Sequence, residues 1–237
     1  MITALKSDQR GRTKIDWLDS YHSFSFGNYY DPHNINFGPL RVLNDDTVIP
    51  SAGFPTHPHK DMEIVSIVTK GSMAHQDSSG GQGVIKEGEI QRMTAGKGIF
   101  HSEFNASDTE ILKFYQIWFI PNQQGLTPSY DQRKFQIDKE KNELKLIVSG
   151  YKEDNALFIN QDVKMFLCSA DKGFNIPYSI GKGRGIYIHV IKGQIEVKGY
   201  KAENGDALKI TVENSIEISS PENSAFIFFD LLMDFER

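Results

Sequence analysis

Apolar residues in this chain come in short runs rich in β-branched and aromatic side chains, separated by Gly, Pro, Asn and Asp. Residues 64–69 form one run, stopped by Lys70-Gly71, and residues 112–120 form another, stopped by Pro121. In the second run Leu112, Phe114, Trp118 and Ile120 fall on one parity, the alternation of a strand with a buried face. Further runs cover residues 144–148, 164–168, 186–191, 195–197 and 225–231. Short strands at this spacing, broken by turn residues, predict an all-β sandwich or barrel. No long stretch carries a helical period, which leaves room for one short helix around residues 125–134.

A faint internal repeat predicts two domains. Ile67-Val68-Thr69-Lys70-Gly71-Ser72-Met73 is echoed by His189-Val190-Ile191-Lys192-Gly193-Gln194-Ile195. Each is an apolar strand, a Lys-Gly turn and a new strand, followed by Gly88-Glu89 in one copy and Gly205-Asp206 in the other. The polar segment 121–136 reads as the linker, dividing the chain into residues 1–124 and 125–237.

Bulk composition narrows the function classes. Hydrophobic residues make up 39% and charged residues 24%, ordinary for a soluble protein with ample core. A net charge of −5 argues against nucleic-acid binding, which needs clustered Lys and Arg. Lys6, Arg10, Arg12 and Lys14 do cluster, but Asp8 and Asp16 interrupt them and a solvated surface is expected. Cys168 is the only cysteine, so an internal disulfide and a thiolate zinc site are both excluded; in Met165-Phe166-Leu167-Cys168 it reads as a buried strand thiol. The first residues turn polar too early for a secretory segment, and the apolar stretch 226–233 is interrupted by Asp230 and too short for a bilayer. A cytoplasmic protein with no membrane partner is expected.

Two tripeptides carry the chemistry: His57-Pro58-His59 and His101-Ser102-Glu103. Residues i and i+2 of a strand share a face, so His57 projects with His59 and His101 with Glu103. If the two strands face each other, three imidazoles and a carboxylate converge, a set suited to divalent Fe, Mn, Ni, Cu or Zn. A lone His-x-His is a weak signal; the second pair in a similar glycine context strengthens it. Glu63 has the same parity as His57 and His59, so parity admits either acid as fourth ligand. His22, His33, His75 and His189 stand singly and read as hydrogen-bonding or packed residues, His75 being best placed to support a ligand. Phe24, Phe26 and Phe37 read as core or as a barrel lid, and aromatics at a mouth also suit a flat aromatic ligand.

The flanking residues resemble the paired motifs of the cupin superfamily, Gly…His-x-His-x3-Glu…Gly followed by Gly…Gly-x2-His-x3-Asn. Gly53-Phe54-Pro55-Thr56-His57-Pro58-His59, Gly71-Ser72-Met73-Ala74-His75 and Thr94-Ala95-Gly96-Lys97-Gly98-Ile99-Phe100-His101-Ser102-Glu103 are similar to the pirin branch in particular. Tyr21-His22-Ser23-Phe24 and the run from Phe37 to Asp46 fit it as well. The specific resemblance covers the first half of the chain; the second half matches through its weak repeat alone.

The resemblance implies a bicupin, two jelly-roll-type barrels in one chain, with a single metal in the first. It implies His57, His59, His101 and Glu103 as ligands and leaves Glu63 behind them, as a supporting group or spare base. Fe(II) is the metal it implies, although Zn, Cu, Ni, Mn and Co suit the same donors. Four protein ligands leave two positions on a six-coordinate ion for substrate or O2. Pirins of this type resemble quercetin 2,3-dioxygenases, which open a flavonol with O2 and release carbon monoxide. Glu103, or Glu63, is then the expected base for the substrate hydroxyl. Other pirins are non-enzymatic, iron-dependent redox sensors that bind partner proteins, which is the alternative implied. A different cupin activity, such as isomerisation, is a third.

Overall fold

Alternating burial drives the strands. In Leu18–His22 every second side chain is buried, as in Ile99–Asn105, where Ile99, His101, Glu103 and Asn105 point inward. Glu63–Lys70 and Leu112–Phe119 are covered on both faces over most of their length and form the middle of a sheet. The computed structural model describes residues 1–135, 140–152 and 155–234, and among these the 3-10 turn Ser7–Gln9 is the only helical element. None of their helices is long and apolar enough to cross a membrane.

The chain folds as two units. The first holds residues 10–135 and 159–161. Its larger sheet has seven antiparallel strands in the order Ser129–Lys134, Glu89–Thr94, Glu63–Lys70, Leu112–Phe119, Leu40–Val48, Leu18–His22, Gly11–Lys14. The smaller has four: Gly53–His59, Ile99–Asn105, Ser72–Asp77, Gln82–Lys86. Val48, Val68, Leu112 and Phe114 of the larger sheet close one end of the interior against Met73 and Ile85 of the smaller. Where a short helix had room, residues 129–134 are instead a strand paired from Ser129 with Thr94 to Lys134 with Glu89. Six backbone positions facing an open sheet edge outweigh any helical tendency in so polar a stretch. The segment 121–136, read as a linker, therefore contributes an edge strand to this unit.

The second unit comprises residues 1–9 with the described residues of 136–158 and 162–236. It repeats the plan: a seven-stranded sheet in the order Ile2–Leu5, Ala207–Ile210, Arg184–Lys192, Ser224–Leu232, Val163–Ala170, Lys145–Ser149, Leu157–Phe158, and a four-stranded one, Asn175–Ser179, Ser215–Ser219, Gln194–Val197, Tyr200–Glu203. The Lys-Gly turns are equivalent. Gly71 (φ 79°) and Gly193 (φ 72°) are left-handed, and a Cβ on either would strike a backbone carbonyl, of Ile111 or of Asn223. A Gly193→Ala chain is expected to lose roughly 1–3 kcal/mol through strain and collision, seen as a lower melting temperature.

Register makes the internal likeness specific. Aligning the two Lys-Gly turns matches His75 to Val197 and Ser66 to Ile188; the Gly-acid turns match Gln91 to Leu208. Strand pairing then matches Glu103 to Ile218, since Glu103 pairs with His75 and Ile218 with Val197. Ile188, Val197, Leu208 and Ile218 all belong to the apolar core of the second unit. At these four positions the first unit keeps polar groups inside and the second packs hydrocarbon. Each such side chain contributes about 1.5–3 kcal/mol on burial, so these positions of the second unit serve stability.

Candidate metal centre

Strands Gly53–His59 and Ile99–Asn105 are antiparallel neighbours, with His57 directly opposite His101 and His59 opposite Ile99. The three rings converge: centroids lie 4.4 Å apart for His57 and His101, 4.8 Å for His59 and His101, and 4.9 Å for His57 and His59. One nitrogen from each lies within 4.8 Å of the other two. Pairing skips between His101 and Glu103, so Pro55 and Thr56 bulge from the first strand before Phe54 meets Glu103. Pro55 has no N–H to lose from the ladder, which suits it to the bulge. Its freed carbonyl accepts the Nδ1–H of His57 at 2.8 Å, fixing the tautomer that leaves the Nε2 lone pair available.

The other two imidazoles are held neutral. Burial, with repulsion from the neighbouring rings, pushes His59 down to about 4 and His101 down to about 3. His101 is 1% exposed, and neither of its nitrogens has a hydrogen-bond partner. A buried imidazole without partners is costly to fold around, by ~1–3 kcal/mol, unless something else takes its lone pair. Three imidazole donors in this arrangement fit a divalent cation.

Glu103 lies on the same strand, two residues beyond His101 and 3% exposed. One of its oxygens groups with nitrogens of His101 and His75 within 4.8 Å; it does not join a single such group with His57 and His59. Gln116 Nε2 donates to Oε2 at 2.7 Å and Gln91 Nε2 to Oε1 at 3.2 Å, while the Ser66 hydroxyl stands 3.3 Å from Oε1. Ser66 also donates to Gln116 Oε1 at 3.0 Å and accepts from Gln91 at 3.1 Å. These residues form one cross-strand row: Gln91 pairs with Ser66, Ser66 with Gln116, Gln116 with Asn44 and Asn44 with His22. Polar residues at inward positions of apolar strands, such as Ser66 within Ile64-Val65-Ser66-Ile67-Val68, were the signal of this row in the chain.

Glu63 belongs elsewhere. It is fully buried, its carboxyl raised by burial against opposing hydrogen bonds from Asn160 (3.0 Å) and Thr94 (2.9 Å), and it joins neither cluster. Parity misleads because the chain turns at Asp61 (φ 48°) and enters the other sheet, where Ser66 and not Glu63 has the inward parity. His75 lies on the neighbouring strand, directly opposite Glu103. Its Nε2 bonds to Asp77 at 3.0 Å and its ring stacks on Tyr130 at 4.9 Å. Burial pushes the Asp77 carboxyl up, but hydrogen bonds from Ser79, His75 and the Gly81 backbone hold it below the usual range. His33 is exposed and His189 is buried in the second unit. Cys168 is buried there too, its thiol pushed up to about 12 by burial, so it is unreactive.

Beside the imidazoles lies a cavity of about 440 Å³. His57, His59, Glu103 and Gln116 border it, with Phe26, Phe54 and Trp118 as aromatic walls. Trp118 meets His59 edge-on at 4.8 Å and Phe26 at 5.4 Å. Phe24 and Phe37 are core residues, so of the three early phenylalanines only Phe26 faces the cavity. Across it the sheet presents Asn44, His22, Ser20 and Asp46. His22 sits between Thr13 (2.8 Å) and Asn44 (2.9 Å), lowered by burial and therefore neutral.

Asp46 is 2% exposed, and burial pushes its carboxyl up to about 7, helped by the charges of Asp45 and Glu103 and opposed by the Ser20 hydroxyl. The sign follows from proton binding. Between the unfolded value near 3.8 and about 7 the folded chain keeps a proton that the unfolded chain loses, so this residue's contribution to stability falls as pH rises through that window. Asp46→Asn removes the effect. The melting temperature of that variant relative to the original is expected to rise between pH 5 and pH 8, by the equivalent of on the order of 2 kcal/mol.

Known proteins agree with this architecture. Residues 5–119 match the family model described as Pirin, and residues 146–231 match that of the quercetinase C-terminal cupin domain. The chain is 42% identical over 231 residues to a quercetin 2,3-dioxygenase of Escherichia coli strain K12, covering 98% of this chain and 99% of that one. It is 36% identical over 231 residues to a pirin-like protein of Caulobacter vibrioides, covering 97% and 99%. The crystal structure of the bacterial pirin YhhW from Escherichia coli in complex with nickel(II) superposes with a TM-score of 0.94 at 41% identity, covering 99% of this chain and all of that one. Two cupin units, a convergent His cluster in the first and an apolar core in the second accord with these matches, and the chain belongs to the pirin family.

Proposed function

We propose that the first unit holds one divalent metal ion on His57, His59, His101 and Glu103, and that the chain is a dioxygenase of the pirin type. It opens flavonols such as quercetin with O2, both oxygen atoms entering the product and one ring carbon leaving as CO. The observation that carries this reading is His101: a fully buried imidazole with two unpartnered nitrogens, 4.4 and 4.8 Å from two more rings that border an aromatic-walled cavity. The E. coli relative's name supports the reaction, and the nickel complex of the E. coli pirin YhhW supports a metal in a chain of this kind. We assign Fe(II), whose O2 chemistry suits the reaction, as the working metal.

When bound, the ion supplies Lewis acidity for the ionised 3-hydroxyl of the substrate and a site beside it for O2. The chain's own residues do the rest. Phe26, Phe54 and Trp118 sandwich the flat ring system and keep water away. Glu103 takes the hydroxyl proton, its carboxylate steadied by Gln91 and Gln116. Glu63, which joins neither ligand group and is bonded to Thr94 and Asn160, is given no proton-transfer role in this reading. A cavity of this size beside the cluster favours small-molecule chemistry over a regulator that works through its surface.

Metal analysis of the purified chain, anaerobic titration with quercetin and measurement of O2 uptake with CO release test the proposal. A stoichiometric metal, a shifted flavonol spectrum and one CO per O2 consumed are expected. A fully metal-loaded chain that neither binds nor consumes any flavonol sinks it.

A further inference from the structure

The cavity has a second polar pole that metal chemistry leaves without a task. Asp46 borders the cavity, is 2% exposed, and its Oδ1 has no hydrogen-bond partner. Ser20 bonds to the carboxyl and Asn44 stands two residues before it, its own amide oxygen already taken by His22. Asn44 pairs directly with Gln116, which bonds to Glu103, so Asp46 is the diagonal neighbour of Gln116, about 7–8 Å away by sheet geometry. That offset is the width of a fused two-ring aromatic system. The apolar part of the lining is Leu18, Phe26, Phe54 and Trp118, and of the other polar residues there His22 is already bonded to Thr13 and Asn44.

We propose that Asp46 is a specificity-determining residue: its unpartnered oxygen receives a hydroxyl of the aromatic substrate while the imidazole end holds the enol, so that the cavity selects polyhydroxylated flavonols over the bare ring system. The inference rests on the flavonol reading of the cavity. A buried acceptor or donor left unpaired penalises every ligand that cannot reach it, which is the physical source of discrimination at such sites. With burial pushing it up to about 7, the acid keeps a substantial protonated population at neutral pH, and in that form it both donates and accepts, meeting a neutral phenol without a buried charge.

The test uses two probes, quercetin, which has hydroxyls on both ring systems, and 3-hydroxyflavone, which keeps only the enol. Dissociation constants are measured anaerobically on metal-free and metal-loaded chains, and turnover on the loaded chain. The original chain is expected to prefer quercetin by about 10–100-fold, Asp46→Leu to bring that preference within about threefold, and Asp46→Asn to retain most of it. Should the leucine variant not fold, Asp46→Ala carries the same comparison. A folded Asp46→Leu or Asp46→Ala chain with the preference intact overturns the proposal, as does an original chain that binds both probes equally or binds neither. A preference that depends on Asp46, without turnover by the loaded chain, supports this proposal and instead overturns the dioxygenase reading.

Discussion

A His101→Ala chain is expected to keep its fold, bind no stoichiometric divalent metal and lose flavonol turnover by at least ~10³-fold. The expectation of a preserved fold is physical. Neither nitrogen of His101 has a protein partner, so truncation leaves no orphaned donor or acceptor behind. It removes a buried polar ring and creates a modest cavity, and the two effects oppose each other. Loss of metal is therefore separable from unfolding. Metal content by elemental analysis and melting temperature, measured on one preparation, check both halves. A variant that still holds one tightly bound ion per chain refutes the ligand role of His101. His189, buried in the second unit, is a useful contrast, because replacing it is expected to leave metal content unchanged.

Replacing Gln116 by Leu should weaken metal binding by roughly 10–100-fold while every proposed ligand remains in place. Gln116 gives Glu103 its shortest hydrogen bond, 2.7 Å, and also accepts from Ser66. Leucine leaves Glu103 Oε2 and the Ser66 hydroxyl each without one partner in a buried site, costing about 1–3 kcal/mol of stability as well. Competition titration with a chelator and chemical denaturation measure the two effects. If Glu103 is not a ligand, stability falls but the metal dissociation constant stays within a factor of two. The same logic explains why the equivalent positions of the second unit need no such network: Ile188, Leu208 and Ile218 replace Ser66, Gln91 and Glu103 together, so none of these three is left as an unpaired polar group.

Much of the architecture was readable before any coordinates. Alternation and Gly-bounded turns predicted an all-β chain, and the Lys-Gly echo predicted two like units, because both are local consequences of backbone geometry. The two ligand-x-ligand pairs were equally local: a strand shows i and i+2 on one face whatever surrounds it, and His57 and His59 do share a face. Parity failed at Glu63 for the complementary reason. One left-handed residue, Asp61, moves the chain into another sheet, and alternation has no memory across such a turn. The stretch 129–134 carried too little hydrophobic pattern to announce a strand, and only the open edge of Glu89–Thr94 gave it one.

From the chain alone follow the fold class, the doubling, the three imidazoles and the absence of any comparable ligand pair in the second half. Those rest on spacing within single strands, which backbone stereochemistry dictates residue by residue. Folding added the rest: the row Gln91–Ser66–Gln116–Asn44–His22, the carboxyl of Asp46 facing the cavity, and the aromatic walls of Phe26, Phe54 and Trp118. Each draws neighbours from strands tens of residues apart, and cross-strand register, set only when two sheets close on a common interior, brings them together.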